Sequence, residues 1–121
     1  MSKYWGYHLM LDCTSCKIES VTSEENIRTF LKELVPAIDM VAYGDPMIPH
    51  FATHDPDKAG FSVCQMIETS AITAHLVDKN GDMYLDIFSC KTFDIGVVQE
   101  IVQKYFEPTK MRVNFITRSA S

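Results

Sequence analysis

Residues 73–88 read TAHLVDKNGDMYLDIF and carry the clearest structural signal in the chain. Asn80-Gly81 is a pair typical of tight hairpin turns, because such turns need a positive φ that Asn and Gly tolerate. The flanking segments, 73–77 and 83–88, have the residue types that strands favour. We therefore predict an antiparallel hairpin with its turn in residues 78–82.

Further strands are predicted on both sides of this hairpin. Residues 61–68 read as the strand before it, and residues 7–12 and 111–116 as the first and last strands of the chain. Residues 38–43 read as one more strand, followed by a loop over residues 44–60. Loops of that length in a small domain are usually functional or mobile.

Two amphipathic helices are predicted. Thr22 and Glu25 form a capping-box pattern at the start of the first helix, and Pro36 marks its end. Asp94 caps the second helix, which stops before Pro108. Their apolar faces contain Ile27, Phe30, Leu31 and Leu34 in the first helix, and Val97, Val98, Ile101, Val102 and Tyr105 in the second.

With the short strand at 38–43 set aside, the elements follow the order β-α-β-β-β-α-β. This order favours an α+β fold, a two-layer sandwich in which a mostly antiparallel sheet carries both helices on one face. The other face then has no helix to cover it. Burial of such a face by a second copy predicts a homodimer.

Length and composition restrict the function. The 121 residues suit a single domain, expected here over 1–121, and the hydrophobic share of 46% is that of an ordinary globular protein. The net charge of −5, with no basic run, argues against a nucleic-acid partner. No apolar run is long enough for a membrane span, and residues 1–8 lack the apolar core of a signal peptide. We expect a cytoplasmic protein with no membrane partner.

Cys13 and Cys16 form the most conspicuous cysteine pattern, with the CxxC spacing of half a zinc knuckle or of a redox pair. A zinc site needs a second pair of ligands, which the sequence does not supply. A thioredoxin-like pair needs a helix directly after it, and the first helix signal begins only near Thr22. We expect small loop residues here and no metal site.

Several reactive residues follow the long loop. Ser70, His75 and Asp86 are the types of a hydrolase triad, but the G-x-S-x-G elbow is absent. Cys90 with His75 gives a second generic pairing, in which imidazole activates a thiol. The structural alternative is a turn serine, a strand histidine and a small buried cysteine. Residue types alone favour that alternative.

Spacing changes this balance. The segment 68–75, ETSAITAH, and the segment 86–90, DIFSC, resemble the core of the bacterial and archaeal S-adenosylmethionine decarboxylases. In that family a serine is followed five residues later by a histidine and twenty residues later by a cysteine, as Ser70, His75 and Cys90 are here. A second serine eight residues earlier corresponds to Ser62. Residues 6–9, GYHL, resemble the family's N-terminal strand.

The resemblance implies a pyruvoyl-dependent enzyme, whose substrate decarboxylates after its amine forms a Schiff base. Ser70 is the implied pyruvoyl precursor, and self-cleavage between Thr69 and Ser70 is expected to give a β chain, 1–69, and an α chain, 70–121. Ser62 and His75 are the implied processing residues, and Cys90 is the implied proton donor. The thiol suits that role because its ordinary pKa keeps it mostly protonated near neutrality.

The substrate-binding residues implied by the resemblance are Phe51, Glu68 and Asp82, with Phe51 as a stacking aromatic. Three departures from the family pattern bear on processing and substrate: Thr69 replaces a glutamate, Ala71 replaces a histidine, and Lys79 stands where an acid that binds ribose is common. Asp78 or Asp82 could take the place of that acid if the hairpin shifts. S-adenosylmethionine is the expected substrate, for polyamine (spermidine) synthesis. The alternatives are arginine or ornithine with the same chemistry, and an unprocessed homologue or small-molecule-binding module.

Overall fold

The computed structural model describes residues 4–121; Met1–Lys3, the start of the segment inspected for a signal peptide, lie outside the described residues. Six strands form one antiparallel sheet in the order β2-β3-β4-β5-β1-β6. The strands are β1 (Gly6–Thr14), β2 (His50–Phe51), β3 (Gly60–Ile67), β4 (Ser70–Val77), β5 (Met83–Ser89) and β6 (Lys110–Arg118). The helices are α1 (Ile18–Val21), α2 (Glu24–Ala37) and α3 (Ile95–Phe106). The expected two-layer α+β architecture is confirmed.

The hydrophobic core lies between the helices and one face of the sheet. Alternate residues of β1 and β5 point into it, among them Leu9, Leu11 and Ile87, all fully buried. They pack with the buried faces of α2 and α3, which include Leu34 and Phe106. This side is the helix face; the opposite side, which no helix of the described residues covers, is called the open face below.

The hairpin predicted at residues 73–88 is confirmed. β4 and β5 pair with His75 opposite Tyr84, and Gly81 has a φ of +78° in the turn. β3 and β4 form a second, tighter hairpin in which Ile67 pairs with Ser70. Only Glu68 and Thr69 form the turn between the two strands. The bond between Thr69 and Ser70 therefore lies at the end of the hairpin, where β4 begins.

The strand expected at residues 38–43 is not formed. Only Ala42 pairs with the sheet, as an isolated bridge to Ile67. Ile38 and Met40 are buried by core packing, so their alternation with exposed neighbours reflects side-chain burial without a hydrogen-bond ladder. The loop expected after them contains the two-residue strand β2.

The ends of the first helix also differ from expectation. The cap is Ser23, whose Oγ accepts from the Asn26 N–H at 3.1 Å, because Thr22 already closes the short helix α1. Pro36 lies inside the last turn of α2. Proline removes one backbone donor. The Ile38 N–H nevertheless donates to the Leu34 carbonyl at 3.1 Å, so the helix continues past Pro36 to Ala37.

Candidate functional site: two clusters on one hairpin pair

The residues singled out from the sequence form two groups at opposite ends of the β3–β4–β5 unit. The cleavage-site cluster consists of Glu68, Thr69, Ser70 and Cys90, at the β3–β4 turn. The histidine cluster consists of Phe51, Ser62, His75 and Asp82, toward the β4–β5 turn. Each cluster is assembled by the sheet register, since its members are distant in sequence.

Ser70 and Cys90 are joined by a direct contact. The register that places Ala71 opposite Phe88 brings the start of β4 next to the end of β5. There the Cys90 N–H donates to Ser70 Oγ at 3.0 Å. Ser70 itself is only 8% exposed. The Ser70 hydroxyl hydrogen has no acceptor among the described residues, so it remains available to a base.

Thr69 has a strained backbone. Its φ is +59°, in the left-handed region that a β-branched residue rarely adopts. The side chain is held on both sides: Thr69 Oγ1 donates to the Glu68 carbonyl at 2.6 Å and lies 2.6 Å from Cys90 Sγ. Because its hydrogen goes to Glu68, the Cys90 thiol is the donor to Thr69 Oγ1. Strain of this kind is typical of functional turns.

A small cavity of about 180 Å³ opens beside this turn. Glu68, Thr69 and Cys90 line it together with the segment 39–41 and Lys91. The Lys91 ammonium lies 3.5 Å from the Asp39 carboxylate at the rim. The cavity gives a small molecule access to the Cys90 thiol.

The hydrogen bonds of His75 determine its tautomer. Nε2 lies 2.9 Å from the Lys58 carbonyl, which can only accept, so Nε2 carries the proton. Nδ1 therefore accepts from the Ser62 hydroxyl at 3.1 Å, across the register pair of β3 and β4. In this tautomer the unprotonated ring nitrogen is directed at Ser62.

Asp82 and Phe51 flank this pair differently. Asp82 Oδ1 accepts from the Ser15 N–H at 2.9 Å, and the residue lines a cavity of about 220 Å³ together with His75 and Tyr84. Phe51 is 64% exposed at the edge strand β2. It presents an open aromatic surface next to β3.

The two clusters do not meet within one chain. Ser70 and His75 are five residues apart on β4, which is about 17 Å along an extended strand. An odd separation also directs their side chains to opposite faces of the sheet. Neither generic pairing from the sequence is assembled: Asp86 contacts His8 at 3.1 Å instead of His75, and Cys90 contacts Thr69 instead of His75.

The left-handed backbone of Thr69 and the contact of Asp78 with His50 were not anticipated. The Thr69 side chain gives no signal of a positive φ, and the predicted strands left four residues between them, so the two-residue turn appears only in the structure. Asp78 Oδ2 lies 2.5 Å from His50 Nε2. The other carboxylate oxygen, Oδ1, is buried without a partner among the described residues. Lys79 is turned away in an ion pair with Asp57 at 2.7 Å.

Cys13 and Cys16 lie outside both clusters and are buried in the core. The expectation of small loop residues is wrong for Cys13, which lies in β1 and packs into the core from that strand. A hydrogen bond with Cys16, together with burial, raises the pKa of Cys13. In residues 4–121 no three histidine, cysteine or acidic side chains are grouped to hold a metal ion. Within the same range no helix is long and apolar enough to span a membrane.

The architecture places the chain in a structural class. It superposes on the crystal structure of the adenosylmethionine decarboxylase from Aquifex aeolicus VF5 with a TM-score of 0.80, covering 99% of this chain and 95% of that one. The sequence identity is 15%, so this likeness establishes the fold. The class is therefore the two-layer α+β fold that this decarboxylase adopts.

Sequence comparison identifies the family. The family model described as S-adenosylmethionine decarboxylase matches residues 7–119. A Clostridium botulinum (strain Langeland) protein named S-adenosylmethionine decarboxylase proenzyme is 36% identical over 117 residues, 96% of each chain. The protein of that name from the Hall strain is 36% identical over 93 residues, 76% of this chain and 75% of its own. The chain belongs to the S-adenosylmethionine decarboxylase family.

Proposed function

We propose that this protein is a self-processing, pyruvoyl-dependent decarboxylase of S-adenosylmethionine, which supplies the aminopropyl donor for spermidine synthesis. The observation that carries the proposal is the cleavage-site cluster: a strained Thr69, a buried Ser70 and the Cys90 thiol in mutual contact. Membership of the family and the proenzyme names of its relatives support it.

The cleavage-site cluster suits self-cleavage. Ser70 Oγ attacks the carbonyl carbon of Thr69, and its proton passes to a base. The C–N bond between Thr69 and Ser70 then breaks as the nitrogen takes up a proton, which leaves an ester to Ser70 Oγ and a free amine on Ser70. Elimination then releases the Thr69 carboxylate and leaves dehydroalanine at position 70, which hydrolyses to pyruvoyl with loss of ammonia. The left-handed Thr69 favours this route because opening the turn releases backbone strain.

The residues around the new N-terminus fit a pyruvoyl group. Once formed, this group supplies the electron sink that decarboxylation of an α-amino acid requires. Position 70 lies beside the Cys90 backbone N–H, a donor that suits a carbonyl oxygen. The Cys90 thiol, open to the adjacent cavity, is placed to deliver a proton to the substrate carbon.

The histidine cluster supplies the remaining functions. His75 holds a basic Nδ1 against the Ser62 hydroxyl, an arrangement that can accept and return a proton during processing. Phe51 offers an aromatic surface to the adenine ring. Asp82, which lines the cavity beside His75, offers a carboxylate to the ribose hydroxyls.

A homodimer brings the two clusters together. Because His75 and Ser70 of one chain lie about 17 Å apart, the Ser62–His75 pair acts on the cleavage turn of a second copy. The open face supports such packing, since it exposes large apolar side chains: Trp5, Met66, Tyr84 and Ile116 are each between 46% and 59% exposed.

Intact mass spectrometry of the purified protein tests the proposal. We expect two chains that divide the 13.8 kDa sequence after Thr69, whereas Ser70→Ala remains one chain. The processed protein should release carbon dioxide from S-adenosylmethionine, with arginine and ornithine assayed in parallel. A wild-type chain that stays intact on long incubation would contradict self-processing. Release from arginine or ornithine alone would contradict the substrate.

A further inference from the structure

A further cavity on the described residues belongs to neither cluster. It has a volume of about 510 Å³ and lies on the helix face, between α2 and the segment 40–46. A volume of this size is in the range of sites for small organic ligands. Its floor is apolar and includes Leu31, Val35 and Met40, two of them at 5% exposure or less.

One polar group in this cavity is left without a partner. Gln65 is 3% exposed and lines the cavity from β3. Its amide nitrogen donates to the Met66 carbonyl at 2.8 Å and to the Gly44 carbonyl at 3.2 Å. Both partners are acceptors, which fixes the amide orientation. Oε1 then accepts from no group among residues 4–121. It is not among the fully buried unpartnered side-chain atoms of these residues, so a donor in the cavity can reach it.

The rim of the cavity is positively charged on one side. Lys32 of α2 is exposed and forms no ion pair with any residue that the structure describes. Arg28, one turn earlier in α2, also lines the cavity. It forms an ion pair with Glu24, with 3.1 Å between Nη2 and Oε2. Asp45 on the opposite side is the one acidic residue of the lining.

From these observations we propose a second small-molecule site on the helix face. Its cavity adjoins the one at the cleavage turn, with which it shares Met40 and Val41, but it contains none of the residues of the cleavage-site cluster. Its ligand is an organic carboxylate with a flat apolar body and an N–H or O–H donor. The apolar body rests on the floor, the carboxylate faces Lys32 and Arg28, and the donor satisfies Oε1 of Gln65. All residues that line the cavity precede Thr69, so self-cleavage leaves the site within one chain.

The test uses indole-3-acetate as the probe, because it combines a carboxylate, an apolar ring and a ring N–H. Its N-methylated analogue, 1-methylindole-3-acetate, has a methyl group in place of the donor hydrogen. Titration is followed by amide chemical shifts of the processed wild-type protein and of the uncleaved Ser70→Ala chain, so that the result does not depend on processing. We expect saturable shifts at the amides of residues 40–46 and 65.

Affinity for the methylated probe should fall by about fivefold or more, since its binding leaves Oε1 buried and unpaired. Lys32→Glu should weaken indole-3-acetate binding by a similar factor. Lys110→Glu, the same charge change at an exposed residue outside the cavity, should leave it unchanged. Ala42→Trp, which fills the cavity from its exposed wall, should abolish binding.

The inference is overturned if no saturable shifts occur up to about 10 mM probe, or if they fall on the open face. It is equally overturned if both probes bind alike, or if Lys32→Glu and Lys110→Glu have the same effect.

Discussion

At the scale of single residues, the contact between Cys90 and Thr69 has a consequence for the thiol. Thr69 Oγ1 lies 2.6 Å from Cys90 Sγ and can accept a hydrogen bond from the thiol. The family's usual glutamate at position 69 would present a carboxylate in place of this hydroxyl. A neutral acceptor there is compatible with Cys90 as an acid.

Replacing Cys90 tests the proposed proton donor. Cys90→Ala removes the thiol but keeps the backbone N–H that donates to Ser70, so we expect cleavage to proceed. Turnover of the processed enzyme should fall by about 10²-fold, the range of a lost general acid. Single-turnover release of carbon dioxide and intact mass are measured on the same samples.

Cys64→Ala is the matched control, because this free cysteine is also partly buried but lies on the open face of β3. Full turnover in Cys90→Ala would show that another group delivers the proton.

Replacing Thr69 tests the backbone strain. Thr69→Gly adopts a φ of +59° without a steric penalty, so it should stabilise the uncleaved chain by about 1 kcal/mol. The measurement is thermal or urea unfolding in the Ser70→Ala background, where no cleavage interferes. Thr73→Gly, an exposed threonine of β4, serves as control and should destabilise the protein. A loss of stability in Thr69→Gly would show that the turn is relaxed.

At the scale of elements, the β3–β4 hairpin aligns both clusters, and Gly60 sets how closely its strands approach. A Cβ at Gly60 would lie 1.7 Å from the Leu76 carbonyl oxygen, a backbone atom that cannot move aside. Gly60 also pairs with Phe51 of β2 on its other side. The absence of a side chain at Gly60 therefore allows β3 to pair closely with the edge strand β2 as well as with β4.

Gly60→Ala should lower the free energy of unfolding by about 3 kcal/mol, because the strands must separate to admit one methyl group. Gly96→Ala, at an exposed position in the first turn of α3, is the control and should cost nothing measurable. Urea unfolding of both variants in the Ser70→Ala background gives the comparison. Equal stabilities would mean that the strands adjust around Gly60 without cost.

The elements that the sequence predicted well are those with periodic burial and strict turn residues. The hairpin around Asn80-Gly81 and the helix capped by Asp94 were both anticipated, and the cap bond to Val97 is present at 3.3 Å. The strand expected at 38–43 failed because alternate burial arises from packing as well as from pairing. The sequence pattern does not contain the position of the partner strand, which decides between the two.

At the scale of the whole molecule, the separation of the two clusters has a testable consequence. His75→Gln should block self-cleavage, since the Ser62–His75 pair is needed in trans. Co-expression with Ser70→Ala should restore cleavage of the His75→Gln chain, because the Ser70→Ala chain still provides Ser62 and His75. Intact mass spectrometry distinguishes the two variant chains.

Each variant expressed alone is the control and should remain uncleaved. If the His75→Gln chain stays intact in the mixture, or cleaves when it is alone, His75 does not act across a dimer.

The identity and spacing of Ser62, Ser70, His75 and Cys90 could be derived from the chain alone, as could the strands that carry Ser62 and His75. The start of β4 at Ser70 could not, because the sequence predicted that strand only from residue 73. Side-chain periodicity and turn preferences are local properties of sequence. Their division into two clusters, the left-handed Thr69 and the unpartnered oxygen of Gln65 depended on the tertiary structure. Those features follow from the register of the strands and from the hydrogen bonds between β3 and β4, which hold the two-residue turn at both ends. Both are set by contacts between residues that are distant in sequence.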